Sequence, residues 1–139
     1  MRKIIYTILA LSLMSIYAFA GSIAMSEVPD AAIKFADKYF TDYYLFRAVE
    51  NSGSYTLIFK GGLKIYVNSK GKWQTISGGC EEISIDYVED KVKNAVKKEF
   101  PEEKVIYIQK KRKNYNVQFK SRRKISVDFE GNITKKGRD

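Results

Sequence analysis

Apolar side chains recur along this chain with two periods, and each period appears twice. Ala32, Phe35, Ala36, Tyr39 and Phe40 follow one another at intervals of three and four. That spacing predicts one stripe of an amphipathic helix. Ser26 is placed to cap it, Pro29 is tolerated in its first turn, and Thr41-Asp42 stops it. Val88, Val92, Ala95, Val96 and Phe100 form a second stripe, with Asp86 and Glu89 at capping-box spacing and Pro101 as terminator.

Each helical stripe leads into segments in which apolar and polar residues alternate, the period of a half-buried strand. The predicted strands cover about 45–50, 54–60, 63–68 and 72–76, then about 105–110, 114–120, 123–129 and 132–135. Asn51-Ser52-Gly53, Gly61-Gly62, Ser69-Lys70-Gly71, Lys111-Arg112-Lys113, Ser121-Arg122 and Glu130-Gly131 separate them. Such short links imply antiparallel neighbours. Alternation sends Tyr55, Leu57, Phe59, Leu63, Ile65 and Val67 to one face, with Tyr115, Val117, Phe119, Ile125, Val127 and Phe129. Thr56, Ile58, Lys60, Lys64 and Tyr66 face away, as do Asn116, Gln118, Lys120, Lys124, Ser126 and Asp128. With Phe46 and Ile106 placed inward, Arg47 and Tyr107 also face out.

Tyr115 stands 60 positions after Tyr55 (115 − 55), and that offset aligns Ala32 with Val92, Ala36 with Val96 and Phe40 with Phe100. The apolar stripe persists while surface residues change, which predicts one unit used twice. The expected fold class is α+β: two tandem helix-plus-four-antiparallel-strand repeats forming one eight-stranded sheet, with both helices on one face. The expected boundaries are 1–20 for a leader, 21–80 for the first repeat and 81–139 for the second. A lone unit of that size would be marginal, and joining two enlarges the core. Ser77-Gly78-Gly79-Cys80-Glu81-Glu82 is the expected crossing between them, and Trp73 is expected to pack at the last strand of the first.

Composition narrows the chemistry. The chain has no histidine and one cysteine, Cys80. This excludes a histidine-based catalytic triad or dyad, a His-ligated metal site, a cysteine cluster and an internal disulfide. Cys80 pairs between chains or packs as a free thiol. Arg2 and Lys3, the uncharged apolar run Ile4 to Tyr17 and Ala18-Phe19-Ala20 have the order of a cleaved secretory signal. A periplasmic or secreted protein is expected, with no transmembrane segment in the mature chain. Losing Arg2 and Lys3 takes the net charge from +9 to +7 (9 − 2).

These features resemble the PepSY-like family related to beta-lactamase inhibitor protein. The resemblance is carried by the helix opening at Val28-Pro29-Asp30-Ala31-Ala32 and by the hairpin ending in Val67-Asn68-Ser69-Lys70-Gly71-Lys72-Trp73. The second copy runs from Val88 to Asp128-Phe129-Glu130-Gly131-Asn132. It implies an exported helix-plus-four-strand repeat. In the inhibitor, the open sheet face grips an enzyme.

Two surfaces are candidates for function. On the polar sheet face, Arg47, Ile58, Tyr66, Tyr107, Gln118, Lys120 and Lys124 are the expected contacts for a protein partner, because Tyr and Arg add contact area at little entropic cost. An inhibitor of a cell-envelope enzyme is the sharper form. Alternatively, residues 106–139 carry eleven Lys or Arg against three carboxylates. Lys111, Arg112, Lys113, Arg122, Arg123, Lys135 and Lys136 are the anion-binding candidates within it. They would suit an anionic envelope polymer or lipid headgroup, the export signal disfavouring nucleic acid. No cofactor and no catalytic residue is expected: Glu81-Glu82, Glu102-Glu103, Asp128 and Glu130 lack a second group to act with.

Overall fold

The structure, a computed structural model, describes residues 22–138. The leader expected at 1–20 lies outside the described residues. Nine strands form one antiparallel sheet whose spatial order is the chain order. They are β1 (Ser22–Ile23), β2 (Leu45–Asn51), β3 (Ser54–Phe59), β4 (Lys64–Val67), β5 (Trp73–Ser77), β6 (Val105–Lys110), β7 (Asn114–Phe119), β8 (Arg123–Asp128) and β9 (Ile133–Arg138). Helix α1 (Asp30–Tyr39) precedes β2, and helix α2 (Asp90–Glu99) precedes β6. The architecture is mixed α+β. The sheet has nine strands rather than eight because Ser22 and Ile23 pair with Val49 and Ala48.

Ten-residue helices are marginal in water, so packing must hold these two. Val28, Ala32, Ala36 and Phe40 are buried, as are Val88, Val92, Val96 and Phe100. Opposite them, Leu57, Phe59, Leu63, Ile65, Val67, Tyr115, Val117, Phe119, Ile125 and Val127 are buried, all expected inward; Tyr55 and Phe129 are partly buried. These residues belong to a single hydrophobic cluster. Its central row, Ala48–Leu57–Ile65–Ile76–Ile108–Val117–Ile125, is joined strand by strand.

The caps differ from expectation. Ser26 lies in a 3-10 turn (Met25–Glu27), and Pro29 occupies the N-cap of α1 with no side-chain hydrogen bond. Glu89 occupies the N-cap of α2 without capping it. Its carboxylate instead accepts the Tyr115 hydroxyl at 2.8 Å, and Asp86 accepts from Ser84 at 2.9 Å. The helix entrances are fixed by the sheet: the β4–β5 turn brings Gly71 against Pro29 and Ala32, and the β8–β9 turn brings Gly131 against Lys91.

Trp73 packs as expected. Its ring stacks on Tyr115 at 5.8 Å with 6° between planes, and meets Tyr87 at 5.0 Å and Phe35 at 6.3 Å. The Tyr87 hydroxyl inside this aromatic group is buried without a hydrogen-bond partner, and burial drives its pKa well above the usual tyrosine range.

Candidate functional site

Pairing register defines the side of the sheet opposite the core. One outward row runs Arg47–Ile58–Lys64–Ser77–Tyr107–Gln118–Lys124–Gly137 across β2 to β9. A second runs Ser22–Val49–Thr56–Tyr66–Thr75–Gln109–Asn116–Ser126–Lys135 across all nine strands. No helix residue enters either row. The sequence-predicted contacts Arg47, Ile58, Tyr107, Gln118 and Lys124 are brought into one line. Tyr66 lies in the neighbouring row, and Lys120 lies beyond the end of β7, exposed in the turn.

A bulge in β2 corrects one expectation. Leu45 pairs with Phe59 and Arg47 with Ile58, so Phe46 is an extra residue between an inward and an outward position. It is 61% exposed, not inward. Val105, Ile106 and Tyr107 repeat this pattern against Phe119 and Gln118, and Ile106 is half-buried. Leu45 and Val105 take the inward places instead. Tyr44, 66% exposed with the Lys60 ammonium 5.1 Å from its ring centroid, is a surface aromatic that alternation does not predict. The signal was present: Tyr43-Tyr44-Leu45-Phe46 is an unbroken apolar run just where alternation fails.

The rows contain Arg47, Lys64, Lys124 and Lys135 and no carboxylate. Asp128 stands beyond them, opposite Asn114, and its carboxylate is turned into its own hairpin. There it accepts the N–H groups of Glu130 and Asn132. The Asn132 N–H, above all, holds it below the usual carboxylate range.

The two halves of the face differ in texture. Over β2–β4, Val49, Ile58 and Tyr66 present apolar surface, and Thr56 beneath them is only 6% exposed. Over β6–β9 lies a depression of about 330 Å³ lined by residues including Tyr107, Gln109, Asn116, Gln118, Lys124, Ser126 and Lys135. Another depression, of about 410 Å³ beside α2, is lined by Asp86, Glu103 and Lys93 among others. Three of its charges have ion-pair partners: Lys93 meets Asp86 at 3.5 Å, and Arg123 meets Glu103 at 3.8 Å.

The basic candidates do not converge. Lys111, Arg112 and Lys113 stand at the β6–β7 turn, while Arg122 and Arg123 stand at the β7–β8 turn, at the other end of β7. Lys135 belongs to an outward row, whereas Lys136 sits across from inward Ile125 and reaches Glu99 of α2 at 3.2 Å. Among the described residues no group of three or more His, Cys, Asp or Glu could hold a metal ion. Cys80 is exposed and free. No helix among them is long and apolar enough to cross a membrane.

The fold defines a class: a nine-stranded antiparallel meander with two helices, of mixed α+β type. Residues 53–135, more than half of the chain, match the family model described as "Putative beta-lactamase-inhibitor-like, PepSY-like". The chain belongs to this PepSY-like family. A crystal structure from Bacteroides thetaiotaomicron, described as a "putative calcium-regulated periplasmic protein", superposes with a TM-score of 0.78 at 23% identity, covering 84% of this chain and 95% of that one. A "putative periplasmic protein" from Bacteroides vulgatus superposes with a TM-score of 0.76 at 23% identity, covering 84% of this chain and 94% of that one. Another from the same species gives 0.73 at 19% identity, covering 84% and 99%. At these identities the likeness shows the fold. No curated protein matches the sequence. Neither family nor neighbours point to an enzyme family.

Proposed function

We propose that this chain is an exported, periplasmic protein-binding module that docks a partner protein on the bare face of its sheet. In its sharper form it inhibits a cell-envelope enzyme. The reading treats the molecule as a unit used twice, with both helices backing one side so that the other stays available. Equivalent features 60 positions apart support the duplication: helices at 30 and 90, and bulges at Phe46 and Ile106.

The observation that carries the reading is the continuity of the two outward rows. Seven steps from β2 to β9 at about 4.8 Å each span roughly 34 Å, and six-residue strands are about 20 Å long. The product, about 700 Å², is close to the about 800 Å² that each partner contributes to a standard protein interface. Tyr66, Tyr107, Ile58 and Arg47 lie inside that footprint and are the residue types that anchor such interfaces or pack between the anchors. A leader at 1–20 and the periplasmic descriptions of the structural neighbours support the compartment. Scattered basic residues, two of which are ion-paired to Glu99 and Glu103, favour this docking over a polymer-binding stripe.

The test is capture from cell envelope. Wild-type protein is expected to retain a discrete envelope protein at both low and high salt. Tyr66→Ala with Tyr107→Ala is expected to lose it while the circular dichroism spectrum is unchanged. Undiminished capture by that folded double variant refutes the sheet-face site. Capture that vanishes in moderate salt and survives the tyrosine changes supports an anionic polymer instead.

A further inference from the structure

We infer that the depression over β6–β9 is a carboxylate pocket, which receives an Asp or Glu side chain of the docked partner. This rests on the docking proposed above and adds the chemistry of the partner's anchor.

The pocket exists because the two halves of the sheet differ at two places. In the first half the phenol of Tyr66 lies beside Thr56 and leaves it 6% exposed. At the position 60 residues later stands Ser126, whose small side chain leaves Asn116 beside it half-buried. Likewise Ser77 is answered by Gly137, which has no side chain to fill the row's end. Ser126 and Gly137 both line the depression of about 330 Å³. That is near the bottom of the range of about 300–1,000 Å³ for small-molecule sites, room for a side chain rather than a large ligand.

The lining selects an anion. Gln109, Asn116 and Gln118 bring amide N–H donors, and Lys124 and Lys135 bring positive charge. Among the described residues, no carboxylate lines the pocket. Ser126 donates its hydroxyl to Asn116 Oδ1 at 2.9 Å, which occupies one acceptor site of that oxygen and leaves the amide hydrogens to donate. A cation would meet the two lysines. A carboxylate would be met by charge-assisted hydrogen bonds, among the stronger ones available.

Position argues that the acid belongs to a protein. Tyr66 on β4 and Asn116 on β7 are three strands apart, about 14 Å. One protein surface resting on the apolar half therefore overhangs the pocket. A free small acid would gain nothing from Ile58 and Tyr66, and a polyanion would not select this depression over the scattered basic turns.

The experiment uses isotope-labelled protein expressed from the full sequence and purified after export. The probes are two blocked peptides with the same leucine and tyrosine residues, one bearing a central aspartate and the other asparagine. Heparin and phosphatidylglycerol vesicles form the control arms. The aspartate peptide is expected to move the side-chain amide resonances of Gln109, Asn116 and Gln118, and to bind about tenfold or more tightly than the asparagine peptide. Ser126→Tyr, which restores the residue type of the first half, is expected to erase that preference, as is Lys135→Gln in part. Equal binding of the two peptides, no binding of the aspartate peptide at millimolar concentration, or the same resonances saturated more tightly by heparin or vesicles overturns the pocket. Envelope-protein capture by Ser126→Tyr at the wild-type level overturns the pocket and leaves the docking face standing. Loss of capture confined to the tyrosine pair does the same.

Discussion

Asn68 and Asp128 build one kind of turn with different chemistry. Asn68 Oδ1 accepts the N–H groups of Lys70 and Lys72, both at 3.0 Å. Asp128 Oδ1 accepts those of Glu130 at 3.0 Å and Asn132 at 2.9 Å. Only the second is ionisable, and the Asn132 N–H lowers its pKa from the ordinary 3.8. A carboxyl depressed on folding adds stability that is present above its unfolded value and lost as pH falls through the folded one. Asp128→Asn should therefore keep the turn, as Asn68 does, and lose that pH dependence. Urea midpoints of the two proteins should differ most above the unfolded carboxylate value and converge as pH falls through the lower folded one. Single residues were legible where period alone decides, as for Leu57, Ile65 and Val117. The Tyr115–Glu89 bond was not, because its partners are 26 positions apart and only folding brings them together. That bond also diverted Glu89 from the capping role its spacing predicted.

The helices and the eight strands after β1 were legible because each carries its own periodicity, and their observed limits fall within two or three residues of those predicted; the two-residue β1 has no period to read. Bulge positions were not, because an apolar run can mark where alternation fails but only the partner strand shows which residue is extra. Phe46 and Gln74 in the first half, and Ile106 and Thr134 in the second, are such extras. Turns fasten helix to sheet, and two glycines separate the reasons for it. Gly131 has φ +89, and a Cβ there would stand 2.6 Å from the Lys91 carbonyl oxygen. Gly53 has φ +90 with nothing within 4 Å. Gly53→Ala should cost only the left-handed backbone penalty, about 1–2 kcal/mol. Gly131→Ala should cost more than that, by about 1–3 kcal/mol, because the α2 entrance must also move. Denaturant titration of both variants measures the difference.

At the scale of the molecule, one cluster of buried residues serves all the inner strands and both helices. Trp73 sits where the halves join, touching Phe35 of α1, Tyr87 ahead of α2 and Tyr115 of β7. Unfolding followed by its fluorescence should therefore coincide with unfolding followed by far-ultraviolet circular dichroism, in one transition. Two separated midpoints would mean that the halves melt independently. The outward face was legible, since alternation fixes which side chains leave the core. The depression in it was not, because it reflects what Ser126 and Gly137 fail to fill, a property of neighbours across strands. The meander carries one more consequence, for assembly. Because each strand lies beside the one made just before it, a chain delivered N-terminus first can lay down its ladder in the order in which it arrives. Only β1 and β5 wait while a helix is made before their mates arrive; at the other steps the mate follows directly after a short turn, so loop closure is cheap and sticky edges are short-lived.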